Sequence, residues 1–404
     1  MSHFVVVGAG QAGSSLVAKL RSSGFDGKIT LVGAEDVPPY QRPPLSKAYL
    51  LGEMEEERLY LRPESYYAEH GIELKLSTRA VGIDPVDRIL TLEAGEEPIH
   101  YDALALTTGS HPRTLPAAIG GDLDGVMTMR DLRDADGMAP ELVAGRKVLI
   151  VGGGYIGLEA AAVCAKKGLE VTLVEAADRI LQRVAAPETS AFFRDLHGSH
   201  GVKILEKTGL ERLLGEDRVT GARLTTGEEI ATDFVVVGVG IEPATILAAS
   251  AGLSVENGIE TDSHCRTSDP HIWAAGDCAS CLFEGRRIRL ESVGNAIDMA
   301  EVAALNMMGQ ETEYAPKPWF WSDQYDCKLQ IAGLNAGYDA IHVRDSGAGA
   351  RSHWYYRQGR LIAVDAMNDS RAYMVGKRLI ESGKSPAPEA VSDPATDLKA
   401  LLKA

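Results

Sequence analysis

Two glycine fingerprints of the same kind lie 144 positions apart (152 minus 8), and together they restrict what this chain can fold into. The first follows an apolar run, Phe4-Val5-Val6-Val7-Gly8-Ala9-Gly10-Gln11-Ala12-Gly13. The second repeats it as Val148-Leu149-Ile150-Val151-Gly152-Gly153-Gly154-Tyr155-Ile156-Gly157. In a Gly-x-Gly-x-x-Gly segment the first glycine turns a strand into a helix, the second admits a pyrophosphate against the backbone, and the third lets the helix pack on its strand. The N–H groups at the helix start then face the phosphates. Each copy is followed by a helical stretch and by a second strand that runs into a carboxylate, Glu35 after Ile29 to Val32 and Glu175 after Val171 to Val174. That context turns a weak motif into a specific one, and the sequence predicts two dinucleotide sites in one chain.

The chain has 404 residues, 45% of them hydrophobic and 24% charged, enough for two or three domains with substantial cores. It contains no run of 18 apolar residues, and a strand begins too early for a leader segment before Gly8, so a cytoplasmic, bacterial protein without a membrane span is expected. A net charge of −16 disfavours nucleic acid and anionic membranes as partners, because both are polyanions. The five cysteines are odd in number and irregularly spaced, which argues against a disulfide framework. Cys278 and Cys281 form Cys-x-x-Cys, but after a Gly-Asp strand rather than in a helix of the first domain or inside the second. With no second ligand pair at zinc spacing, neither a redox dithiol nor a metal site is expected.

The elements follow an α/β order with two Rossmann-like dinucleotide-binding domains and a small α+β domain at the C-terminus. Residues 1–113 and 239–315 form the first, discontinuous domain, 114–238 an inserted second, and 316–404 the third. The strand Ile272-Trp273-Ala274-Ala275, which ends in Gly276-Asp277, needs a sheet to join and is assigned back to the first domain. In the third, alternating strands are expected at Lys328 to Leu334, Ala340 to Arg344, Ser352 to Tyr356 and Leu361 to Ala366. The tail is expected to be a loop from Pro386 to Pro394 and a short amphipathic helix from Asp397 to Lys403. Glu175, at its strand end, suits the ribose hydroxyls of NAD and repels the 2′-phosphate of NADP, although Arg179 and Arg183 nearby offer a phosphate partners.

Five segments go further: Arg42-Pro43-Pro44-Leu45-Ser46-Lys47-Ala48-Tyr49-Leu50, Gly152 to Glu159, Ala275-Gly276-Asp277-Cys278, Glu291-Ser292-Val293-Gly294-Asn295-Ala296, and Trp319-Phe320-Trp321-Ser322-Asp323-Gln324-Tyr325. In these, and nearly end to end, the chain resembles the putidaredoxin reductase group, FAD-containing NADH reductases of 2Fe-2S ferredoxins within the glutathione reductase-like class. The resemblance implies FAD in the first domain and NAD(H) in the second. It places Gly8, Gly10, Ala12, Gly13, Arg42, Ala80, Thr108, Gly109 and Arg130 against FAD, with Asp277 on the ribityl chain. Val293 would open a helix whose positive end faces the flavin N1 and C2 region. Glu35 falls one position after the group's acidic residue, where this chain has Ala34. Gly152, Gly154, Tyr155, Ile156, Gly157, Glu175 and Gly240 would hold NAD(H).

By the same resemblance Lys47, paired with Glu159, lies near flavin N5, and Trp321 lies near the isoalloxazine edge. No nucleophile–base constellation appears, so the redox chemistry is expected to belong to the cofactor. The implied activity is electron transfer from NADH through FAD to a ferredoxin that feeds a P450 or ring-hydroxylating oxygenase. Arg286, Arg287 and Arg289 are the densest basic cluster and a candidate ferredoxin-docking face. Two alternatives remain open: reduction of another acceptor such as rubredoxin, a quinone or monodehydroascorbate, or an NADH-gated interaction protein resembling apoptosis-inducing factor.

Overall fold

Both fingerprint strands take the central place in a sheet. In the computed structural model, which describes residues 2–93 and 95–403, His3–Val7 is the middle of five parallel strands ordered Ile272–Ala274, Ala103–Leu106, His3–Val7, Lys28–Val32 and Ile72–Lys75. Lys147–Val151 is the middle of a second parallel set, ordered Lys203–Glu206, Glu170–Glu175, Lys147–Val151, Phe234–Val237 and Val126–Met127. Val5, Val6, Leu149 and Ile150 are wholly buried, as expected of parallel strands covered on both faces.

The chain divides into two compact units. One comprises Met1–Gln41, Glu55–His111 and Ile241–Pro318; the other comprises Arg42–Met54, Pro112–Gly240 and Trp319–Ala404. Arg42–Met54 therefore groups with the second fingerprint rather than with the first. In the first unit the helix Gln11–Ser22 lays Leu16, Val17 and Leu20 into the core shared with Ala296, Met299, Ala300 and Ala303 of the helix Val293–Met307. Ser292 caps that second helix by accepting the Asn295 N–H at 3.2 Å. The Ile272–Ala274 strand returns to the first sheet and pairs with Ala103–Leu106.

The second unit carries, besides its parallel sheet, an antiparallel sheet ordered Trp319–Gln324, Cys327–Gly333, Arg360–Met367, Ala350–Arg357 and Ala340–Gly347. The helix Ser370–Glu381 packs Ala372, Val375 and Leu379 into the same apolar cluster as Trp354 and Val364. The fold is thus α/β with Rossmann-like dinucleotide-binding regions and a C-terminal α+β part. Two expectations need correction. The Pro386 to Pro394 stretch contains a short helix, Pro388–Ser392, with Val391 buried; Asp397 to Lys403 is a tight 3-10 turn over Leu398–Leu402, too short for an amphipathic α-helix. The edge strand Trp319–Gln324 adds an element that the sequence pattern did not mark.

The helix Pro187–Ser199 meets the antiparallel sheet through buried polar groups. Thr189 Oγ1 donates to Asp365 Oδ2 at 2.8 Å and lies 2.7 Å from His353 Nδ1, while the Tyr355 hydroxyl also donates to Asp365. Asp365 Oδ1 has no partner among the described residues, and burial raises the Asp365 carboxyl to about 6 from an ordinary 3.8. The folded state therefore holds this proton more tightly than the unfolded chain. Its contribution is complete below about pH 4 and is lost as pH rises through about 6, about 3 kcal/mol in all. Urea unfolding of the parent and of Asp365→Asn should accordingly show the parent losing stability relative to the variant across that interval; parallel pH profiles would contradict it.

Candidate functional site

In each fingerprint two of the three glycines are dictated by the protein's own backbone. A methyl group on Gly8 would lie 2.2 Å from the Thr107 carbonyl oxygen, and one on Gly13 would lie 2.0 Å from that of Gly8. The second copy repeats this: Gly152 against the Gly238 carbonyl at 2.4 Å, and Gly157 against that of Gly152 at 2.1 Å. The middle glycines differ. A methyl group on Gly10 or Gly154 would meet no atom within 4 Å, so nothing in the protein requires glycine there. That open approach to backbone N–H groups at a helix start is the cradle a pyrophosphate needs, and both sites fit a dinucleotide.

Of the other predicted residues of the first unit, Thr108 lies beside Gly8, its backbone nitrogen 3.0 Å from where a methyl on that glycine would stand. Gly276, at φ +82°, brings its Cα to the first turn of the Gln11–Ser22 helix, where an added methyl would stand 3.1 Å from Ala12 Cβ and 3.8 Å from that of Ala296. The starts of the Gln11–Ser22 and Val293–Met307 helices thus converge beside Asp277, whose Oδ2 accepts from Ser110 Oγ at 3.0 Å. Thr108 donates through Oγ1 to the Ala244 carbonyl at 2.7 Å, and Gly109 accepts the Ala244 N–H. Glu35 is half-buried and accepts from the Tyr40 hydroxyl at 2.5 Å. Ala80 opens the strand Ala80–Asp84 of a separate three-stranded sheet.

In the second unit Glu175 reaches back to the fingerprint, its Oε2 accepting the Gly153 N–H at 2.8 Å and its Oε1 the Ala177 N–H at 2.7 Å. Arg179 is tied to Ser190 Oγ at 2.5 Å, while Arg183 lies near Gly240. Tyr155 packs its ring on Phe320 at 5.0 Å, and Ile156 next to it is 42% exposed, unusual for isoleucine on a helix's first turn. Arg42 donates to the Arg130 carbonyl at 3.0 Å.

Lys47 and Glu159 come together as expected, with Nζ 3.0 Å from Oε1. Lys47 sits in a π-type turn, Leu45–Tyr49, where helical geometry breaks at Lys47 itself (φ −139°, ψ −111°). Glu159 is 3% exposed on the Tyr155–Lys166 helix. Sequence reasoning missed the groups that make this burial tolerable: Ser46 donates to Oε2 at 2.8 Å, and Ser322 donates to Oε1 at 2.7 Å. Burial pushes the Glu159 carboxyl above its ordinary value, while Lys47 and the two hydroxyls pull it back. No sequence signal marked Ser322, because Trp319–Gln324 runs from three aromatics into three polar residues without alternation. A strand presents every second residue to one face, so Phe320 reaches Tyr155 and Ser322 reaches Glu159 on the same helix. Trp321 points the other way and stacks on Trp319 at 5.4 Å.

The basic cluster is largely engaged within its own unit. Arg287 donates to the Ser280 carbonyl at 2.8 Å and pairs with Glu260, and Arg289 pairs with Glu291 at 2.7 Å; Arg286 stands exposed on the same hairpin. Cys278 and Cys281 are buried free thiols whose proton affinities burial raises. No described helix is long and apolar enough to cross a membrane.

Comparison with known proteins assigns this arrangement. Residues 2–300 match the pyridine nucleotide-disulphide oxidoreductase family and residues 319–402 the reductase C-terminal family. The chain is 42% identical over 412 residues, spanning 100% of both chains, to the 5,5'-dehydrodivanillate O-demethylase ferredoxin reductase subunit of Sphingobium sp. (strain NBRC 103272 / SYK-6). It superposes on putidaredoxin reductase, solved as a covalent complex with putidaredoxin, with a TM-score of 0.96 at 38% identity, covering 100% of this chain and 98% of that one. The chain belongs to the FAD-dependent NADH:ferredoxin reductase family. As a member it is an oxidoreductase that uses FAD and NADH and passes electrons to a ferredoxin. The ferredoxin reductase for the CYP199A2 system of Rhodopseudomonas palustris is similar as well, with a TM-score of 0.95 and 40% identity over 99% of each chain.

The glycine geometry separates stability from binding in this reductase. Gly157→Ala should lose about 2–3 kcal/mol of stability in chemical denaturation, because its methyl collides with a backbone carbonyl. Gly154→Ala should unfold like the parent yet bind NADH about tenfold more weakly in titration, because its methyl occupies the open approach.

Proposed function

We propose that the first unit holds FAD around Gly8–Gly13 and Asp277, that the Gly152–Gly157 region holds NADH, and that the arrangement is glutathione reductase-like. The acceptor on this reading is a 2Fe-2S ferredoxin that serves a P450 or ring-hydroxylating oxygenase, in keeping with relatives named for the CYP199A2 system and for the anthranilate 1,2-dioxygenase system. The observation that carries the assignment is the duplicated fingerprint with an open middle glycine in each copy. Ala12, Thr108, Gly109, Val293, Arg42, Ala80, Arg130 and Glu35 complete the FAD contacts, and Tyr155, Ile156, Glu175 and Gly240 those of NADH. Bound FAD supplies hydride acceptance and one-electron release, which no side chain here can provide.

The protein's contribution is orientation and electrostatics. Lys47 presents an ammonium where charge changes during transfer, and Glu159 keeps that ammonium from swinging into solvent. Glu175 accepts from ribose hydroxyls and repels a 2′-phosphate, and Arg179, bonded to Ser190, is not free to offset that repulsion. Exposed Ile156 gives the coenzyme an apolar surface at the helix start. Trp321 shapes the flavin edge. Arg286 leads the docking face, with Leu282, 61% exposed, on the paired strand; Arg287 and Arg289 support the hairpin from inside.

Anaerobic stopped-flow absorbance tests the reading. NADH should bleach the flavin much faster than NADPH, and a 2Fe-2S ferredoxin should then reoxidise it. Reoxidation by rubredoxin or a quinone, with none by ferredoxin, would move the acceptor assignment. Lys47→Met and Glu159→Gln should slow reduction by NADH about 10²-fold or more. Arg286→Glu should leave that step intact and lower kcat/KM for ferredoxin several-fold, most strongly at low salt.

A further inference from the structure

Glu159 is the end of a longer chain of buried hydrogen bonds with a fixed direction. The Tyr325 hydroxyl lies 3.0 Å from His197 Nδ1, and His197 Nε2 lies 2.8 Å from Gln324 Oε1. Gln324 Nε2 donates to Ser322 Oγ at 3.1 Å, and Ser322 donates to Glu159 Oε1 at 2.7 Å. His197, Gln324 and Ser322 are wholly buried, so none of these groups exchanges its partner for water.

The direction follows from counting donors. An ionised carboxylate only accepts, so Ser322 gives Glu159 its single proton and needs a donor of its own. Among the described residues only the Gln324 amide nitrogen supplies one, which fixes that amide and turns its oxygen toward His197. Burial pulls His197 down to about 4, leaving a neutral ring with one N–H. That hydrogen sits on Nε2, facing Gln324, and Nδ1 accepts from Tyr325. Every donor in the series points at Glu159.

We infer that Ser322, Gln324 and His197 are positioning residues for electron uptake from NADH: their aligned donors, begun by Tyr325, hold the Glu159 carboxylate ionised and in one orientation, and so keep the Lys47 ammonium fixed. The inference rests on Lys47 acting at the flavin, as proposed above. Three elements face the carboxylate: the π-type turn contributes Lys47 and Ser46, the edge strand Ser322, and the carboxylate's own helix no second charge that acts on it. Without the donors, burial would favour the protonated acid and leave Lys47 without its counter-charge.

Infrared titration of the oxidised holoprotein reads the carboxyl directly, with Glu159→Gln identifying its band. Ser322→Ala should move protonation of Glu159 upward by about one pH unit, the worth of one hydrogen bond to a charged group. Gln324→Met should move it in the same direction by less, and Tyr325→Phe by least. The acid limb of the rate of flavin reduction by NADH should shift upward with it. A merely structural role would lower the melting temperature of these variants and leave the titration where it was, and that result overturns the inference. The two readings fail separately: parent-like reduction in Lys47→Met removes the role of Lys47, whereas slow Lys47→Met with an unmoved titration in Ser322→Ala removes the chain.

Discussion

The rest of the molecule depends on one tight approach, made twice: the carbonyl of the first fingerprint glycine occupies the place where the third would carry its Cβ. It fixes the helix to its strand, and the strand takes the middle of its sheet because helices must cover both faces. With that turn set, the N-terminal end of each helix is aimed at a space that its own chain leaves open at Gly10 and at Gly154. A dinucleotide pyrophosphate is the anion that this geometry suits, and two such sites in one chain are what moving reducing equivalents between two cofactors calls for.

Between the cradles and the chemistry stands a different problem, a carboxylate taken out of water. The carboxylate of Glu159 is buried, and a buried carboxylate is costly unless its lone pairs are met. The second unit meets them with Lys47, Ser46 and Ser322, drawn from a π-type turn and an edge strand far apart in sequence. The same unit joins its helix Pro187–Ser199 to the antiparallel sheet through Thr189 and His197, both bonded to buried polar partners. Apolar contact alone tolerates sliding; directional bonds at two points along one helix do not. The orientation of Glu159 and the seating of the sheet are therefore parts of one arrangement.

Much of this was legible in the chain. Strand–glycine–helix punctuation located both cradles, and the return of Ile272–Ala274 to the first sheet followed from its need for a partner. The Lys47–Glu159 pair was visible only through family resemblance, since neither residue differs by itself from an ordinary surface charge. Ser46, Ser322, Gln324 and His197 carried no such mark, being residue types that usually serve caps and surfaces. In the basic cluster the sequence showed three neighbouring arginines but not their partners: Arg287 and Arg289 bond to carbonyls and carboxylates of their own unit, while Arg286 stands exposed.

By itself the sequence determined that there are two dinucleotide cradles and which strands hold them, because the glycine spacing and the apolar runs are local and allow one kind of turn. It also determined that a carboxylate, Glu175, ends the strand after the second fingerprint, because that position is set by the local strand–turn pattern. Only the tertiary structure decided that Arg42–Met54 groups with the second cradle, that two serines close around Glu159, and that a directed series of donors reaches it from Tyr325. Hydrogen bonds of that kind depend on distances of a few tenths of an ångström between residues more than a hundred positions apart, and no local pattern encodes them.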